Sequence, residues 1–157
     1  GKECDVEPKI ESRQAFTVAG KMYHGKNENQ EVAQLWQGAG PWMEQLEGLA
    51  VPDVAYGVMG NIDMETGVFD YLAGLEVREG APLPEGLDRW PVPAGTYAVF
   101  PCTLPTLMQV FQAAYEAWLP RSGHRRAAGP EFERYGPSFD PADPESEMEI
   151  WIPIEAA

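Results

Sequence analysis

Basic residues are scarce in this chain. It has 11 Lys and Arg against 25 Asp and Glu in 157 residues, a formal net charge of −14 at pH 7. A protein that holds nucleic acid by its phosphates needs a basic surface, so direct DNA binding is not expected. The acidic excess suits a cationic ligand, a basic protein partner or solubility alone. Cysteine and histidine are equally sparse, at two each. Cys4, Cys102, His24 and His124 match no metal-ligand spacing, and both histidines read as loop residues. No metal or other cofactor is expected, and the thiols suit a reduced, cytoplasmic setting. No apolar run approaches the roughly 20 residues of a membrane span. The start carries no charged, apolar and cleavage-site sequence of an export signal. Phosphate-binding glycine loops and the serine nucleophile elbow are also missing.

What is present is an ordinary globular composition, 44% hydrophobic and 23% charged. The length allows one domain with a real core. The 16 Gly and 15 Pro imply short elements and tight turns. The chain reads as two similar halves, about 6–77 and 91–155. The first opens with an apolar strand, "AFTVAGKMYHG" (Ala15–Gly25). A helical stretch follows, with Val32, Leu35, Trp36 and Leu46 on apolar spacings and a break at "GAGP". Pro41 reads as the first position of a second helical segment. Two strands close this half, "VAYGVMGN" and "GVFDYLAGLEV".

The second half repeats the order. "AGTYAVFPC" is a strand, and Thr103 is a good cap for the helix after it. Leu104, Leu107, Met108, Phe111, Tyr115 and Trp118 recur at helical spacing, with Pro120 and Gly123 as its end. "PEFERYG" and "EMEIWIPIE" are its last strands. The Pro-rich stretch between the halves, 78–90, reads as a connector. The fold expected is α+β, two strand–helix–strand–strand halves in one domain.

In the last strand Met148, Ile150, Ile152 and Ile154 share one face, expected to meet the helices. Trp151 lies on the other. Glu133 sits in the middle of "PEFERYG", between the strand formers Phe132 and Tyr135, and shares a face with Tyr135. It either faces water, pairs with Arg134 or Arg125, or sits inside near Trp151 if it lies on the non-helix face.

"PAGTYAVF", "AWLPRSGHRRAAGPEFERYG" and "EIWIPIE", with "AFTVAG" and "FDYLAGLEV" in the first half, resemble the GyrI-like effector-binding domain. That family includes ligand-binding domains of MerR- and AraC-type transcription activators and a stand-alone gyrase inhibitor. The resemblance spans roughly Val6 to Glu155. It implies two halves related by a pseudo-twofold, helices outside and a ligand cleft between. It further implies a lipophilic cation held by a buried glutamate, here Glu133, in an aromatic cage. The matching aromatic positions are Tyr56, Tyr71, Trp118 and Trp151, with Phe69, Trp90 and Tyr97 as further candidates. A carboxylate in an apolar pocket is costly unless a charge joins it, and aromatic faces attract cations.

The chain shows no helix-turn-helix, so it reads as a stand-alone member or as one whose DNA-binding part lies elsewhere. Three alternatives accompany the binding reading. Some relatives hydrolyse cyclopropane-containing genotoxins, for which Glu133 with Tyr71 or Tyr97 would serve as acid–base pair. The acidic run Asp140, Asp143, Glu145, Glu147 and Glu149 would offer a gyrase-type partner a negative surface, or be a solvated loop. Haem proteins of related topology exist, but the scarcity of histidine opposes that use.

Overall fold

The computed structural model describes residues 6–157. Cys4 lies outside the described residues. The strands are β1 (Lys9–Arg13), β2 (Phe16–Gly25), β3 (Ala55–Gly60), β4 (Phe69–Val77), β5 (Asp88–Val92), β6 (Gly95–Thr103), β7 (His124–Arg126), β8 (Glu131–Tyr135) and β9 (Glu147–Ala156). The helices are α1 (Glu31–Gln37), α2 (Gly40–Gln45), α3 (Leu107–Ala113) and the short α4 (Leu119–Arg121). Both histidines sit in strands rather than loops, His24 in β2 and His124 in β7.

All strands join one antiparallel sheet of order β1-β6-β9-β8-β3-β4-β2-β5, with β7 added against β9. The two halves meet where β3 pairs with β8. The stretch read only as a connector supplies β5, which extends the first half's edge beside β2. Its Pro91 is tolerated because an edge strand has one hydrogen-bonding side to spare. Conversely β1, early in the chain, pairs with β6 on the second half's edge.

The helices cover one face of the sheet. Val110, Ala114 and Trp118 meet Phe100, Ile150, Ile152 and Ile154 under α3, as the alternation in β9 implies. Trp42 and Leu46 of the α2 region meet Ala19, Tyr71 and Ala73. The buried face of α3 differs from the spacing read in the sequence, since Leu104 and Met108 are exposed. Leu104 lies in a 3-10 turn before α3, and a π-helical turn over Ala114–Trp118 follows it, with Val110, Ala114 and Trp118 together in the buried cluster. Helical structure also continues through Pro120 to Arg121 before Gly123 turns the chain at a φ of 78°. Thr103 starts the helix as expected, its N–H donating to Thr106 Oγ1 at 3.0 Å.

The opposite face is closed by strand side chains alone. Phe16, Tyr56, Tyr97, Phe132 and Trp151 form its centre. Phe16 of β2 and Phe132 of β8 are separated by two strands, yet their rings are 5.3 Å apart, so the sheet is strongly curved. Arg13 caps this core, its guanidinium 3.8 Å from the Phe16 ring centre and 3.2 Å from Glu76. Because side chains alternate along a strand, each residue's parity assigns it to the helix-covered face or to this aromatic face.

A buried carboxylate behind an acidic groove

Glu133 lies opposite Gly57 on β3 and Ile150 on β9. Ile150 faces the helices, so Glu133 does too. Trp151 pairs instead with Phe132, one residue out of phase. The expected placement of Glu133 beside Trp151 is therefore corrected, because the register of β8 against β9 puts the two on opposite faces. Its partnership with Tyr135, two residues along, holds. Arg134 turns to Glu149 at 3.8 Å and Arg125 to Glu155 at 2.7 Å, so neither arginine neutralises Glu133.

Only 5% of Glu133 is exposed. Its Oε1 accepts hydrogen bonds from Tyr71 Oη at 2.7 Å and Tyr135 Oη at 2.8 Å. Trp36 Nε1 donates to Tyr71 Oη at 2.8 Å, so the chain of donors points from α1 inward to the carboxylate. Oε2 accepts no hydrogen bond among the described residues. The Trp36 ring stands 5.6 Å from Tyr135 and 6.3 Å from Trp42, so aromatic edges and faces surround the group. Burial holds the Glu133 carboxyl above the usual carboxylate range, against the opposing pull of the two tyrosine hydrogen bonds. The Tyr71 and Tyr135 hydroxyls are pushed up by burial and then by the adjacent carboxylate, so both remain donors.

Gly57 makes this arrangement possible. A Cβ there would overlap Tyr71 Oη and Glu133 Oε1. A glycine inside a strand often marks such a close approach. Gly57→Ala is expected to force the Tyr71–Glu133 bond apart, lowering stability by about 1–3 kcal/mol through overpacking. Urea unfolding checks this, and an unchanged midpoint would show that the site yields freely.

Outside Tyr135 lies a cavity of about 450 Å³. Met43, Leu46, Val54, Leu75, Tyr135 and Phe139 give it apolar walls. The charged residues lining it are both acidic, Glu47 and Asp53. Tyr135 is thus shared, its ring lining the groove and its hydroxyl resting on Glu133.

The aromatic residues expected from sequence divide between the faces. Tyr71 binds Glu133 directly. Phe69 lies on the same face of β4 but packs on Tyr23, ring centres 6.0 Å apart. Trp118 belongs to the α3 cluster, 5.5 Å from Phe100 and stacked on His124. Tyr56, Tyr97 and Trp151, with Trp90 packed against them, lie on the aromatic face, separated from Glu133 by the sheet itself. Sequence reading missed Trp36, Trp42 and Gly57 as site residues. The first carried a signal as an apolar helix position, and Gly57 as a glycine in mid-strand. Among the described residues no group of three or more His, Cys, Asp and Glu is placed to hold a metal. No helix among them is long and apolar enough to cross a membrane.

A curved antiparallel sheet with helices on one face matches the α+β fold expected of a GyrI-like domain. The comparisons agree. Residues 9–154 match the family model of Cass2, the integron-associated effector binding protein, and the chain belongs to that family. It falls within the GyrI-like group that the sequence resembles. It is 39% identical over 153 residues to the transcriptional regulator BrlR of Pseudomonas aeruginosa. That match covers 96% of this chain and 56% of the relative, so the chain spans little more than half of that protein's length. The fold is shared with a protein solved bound to tetraphenylphosphonium, at a TM-score of 0.76 and 17% identity, covering 95% of this chain and 94% of the other. It is shared as well with an integron cassette protein from Vibrio cholerae, at 0.65 and 20% identity, covering 95% and 96%.

Proposed function

We propose that this domain binds lipophilic organic cations, taken in through the acidic groove and held by Glu133. The observation that carries the reading is a buried carboxylate with two tyrosine donors and, among the described residues, no cationic partner, behind a groove whose charged lining is wholly acidic. A cation would supply the missing charge. Tyr71, Tyr135, Trp36 and Trp42 would supply aromatic surface, each good cation–ring contact adding about 0.5–2 kcal/mol. The phosphonium bound by a structural relative is a ligand of this chemistry and supports the reading.

Titration with tetraphenylphosphonium, followed by tryptophan fluorescence, tests it. No saturable binding at any accessible concentration would overturn it. A hydrolytic role for the same residues would appear as a water-mass gain in a strained electrophile, whereas the binding reading expects the compound to be recovered unchanged.

The pH dependence has a definite sign. A cation prefers ionised Glu133, while the free site holds its proton above the ordinary carboxylate range. Cation affinity therefore rises with pH, by up to about tenfold per unit below the raised pKa, and levels off above it. The groups around Glu133 are Tyr71, Tyr135 and the Cys102 thiol, which burial pushes up to about 12. Glu131, two residues along the strand, is pushed up by burial to about 7, with Arg126 Nε 3.3 Å away. The Glu131→Gln variant should keep the slope and Glu133→Gln should flatten it. A slope that survives in Glu133→Gln would assign the proton elsewhere.

A further inference from the structure

The indole N–H of Trp42 is a buried donor with nothing to donate to. Trp42 is 4% exposed, and its Nε1 has no hydrogen-bond partner. Among the described residues just one other buried side-chain polar atom shares this condition, Nδ1 of His124 in β7, whose ring stacks on Trp118. Buried donors are almost always satisfied, because leaving one unmade forfeits its hydration without return. The neighbouring indole, Trp36, is satisfied by Tyr71. Trp42 therefore stands out within its own cluster.

Its position connects it to the proposed ligand path. Leu46, which lines the groove, is one helical turn beyond Trp42 and shares its face. Trp42 and Leu46 pack in the same buried cluster as Tyr71, whose hydroxyl rests on Glu133. Leu46 thus connects this indole to the groove, and Tyr71 connects it to the carboxylate.

We infer that Trp42 is a specificity residue whose indole N–H donates to an acceptor on the ligand, so the preferred ligand is a cation that also carries a carbonyl or ether oxygen. This rests on the cation-binding reading and adds a second point of recognition to it. Glu133 selects for charge. Trp42 selects among cations, because a purely hydrocarbon cation leaves its donor unmade while an acceptor-bearing one completes it.

The test uses matched probes. Triphenylphosphonium cations bearing an acetylphenyl group, as ortho, meta and para isomers, are compared with their isopropylphenyl counterparts of similar size. In the wild-type protein at least one acetyl isomer should bind about tenfold more tightly than its isopropyl partner, the effect of one good hydrogen bond. Trp42→Phe should erase that preference, so that each acetyl isomer and its isopropyl partner bind alike, whatever affinity both lose with the smaller ring. In protein carrying ¹⁵N-indole tryptophan, the Trp42 N–H signal should move downfield with the acetyl cation alone. That measurement needs no variant, should Trp42→Phe fold poorly. Equal affinities for all pairs in the wild type would overturn the inference while leaving cation binding intact. So would a preference that persists in Trp42→Phe, or an indole signal that neither probe moves. Failure of both probe classes to bind would instead overturn the cation reading, and this inference with it.

Discussion

Glu133→Gln should lower the affinity for tetraphenylphosphonium about 100-fold, or about 2.7 kcal/mol, while the protein stays folded. Removing one member of a buried charge pair commonly costs 2–5 kcal/mol, and the lower part of that range applies here. The free carboxylate already bears a desolvation cost that glutamine does not, and this offsets part of the loss. Gln is close to isosteric, and its amide oxygen can accept from Tyr71 and Tyr135 as Oε1 does now. The fold should therefore survive. It should even gain at neutral pH. A carboxyl with a raised folded-state pKa contributes its full stability below the unfolded value, and loses it as pH rises through the folded one. Replacing Glu133 removes that decline. The measurement is a pair of titrations beside a pair of urea curves. Unchanged affinity in a folded Gln variant would remove Glu133 from the site.

The largest loss of stability is expected at the neighbouring residue on the other face. Phe132 is fully buried, its ring 5.2 Å from Trp151, 5.3 Å from Phe16 and Tyr97, and 5.7 Å from Tyr56. It is the hub of an aromatic core that no helix covers. Phe132→Ala should cost about 3–5 kcal/mol, since the surrounding rings are held by several strands and cannot collapse into the space. Urea unfolding monitored by circular dichroism reads this directly. A loss below about 1 kcal/mol would mean that the aromatic face is loosely packed. Phe132 and Glu133 are adjacent in sequence, so the pair of variants separates core from site across one peptide bond.

That adjacency also explains what the sequence made legible. A carboxylate inside "PEFERY" is visible as an anomaly, and the order of strands and helices follows from apolar periodicity and turn residues. Which face the carboxylate occupies is a different matter. It depends on the pairing of β8 with β9, and a shift of one residue would have exchanged Glu133 with Phe132. Tyr56, Tyr97 and Trp151 looked like cage residues because aromatic residues suit a cation site and a sheet core equally well. The donor chain was hidden for another reason. Trp36, Tyr71 and Glu133 come from three separate elements, and only the folded sheet brings them together. β1 and β5 were hard to see because polar edge strands lack the alternation of a half-buried strand.

Those two edge strands bear on how the molecule is made. Lys9 pairs with Val99, and Phe16 with Val92. As the chain leaves the ribosome, β1 has to wait until β6 is synthesised, and β2 cannot gain its outer neighbour until the segment between the halves appears. The first half thus emerges with its own edge unfinished and with a strand belonging to the other half. Closing such distant pairings is slow relative to helix formation, because loop closure precedes the contacts that reward it. The β2–β4–β3 pairings can form early, but completion of the sheet at both edges and at the β3–β8 seam waits for the second half.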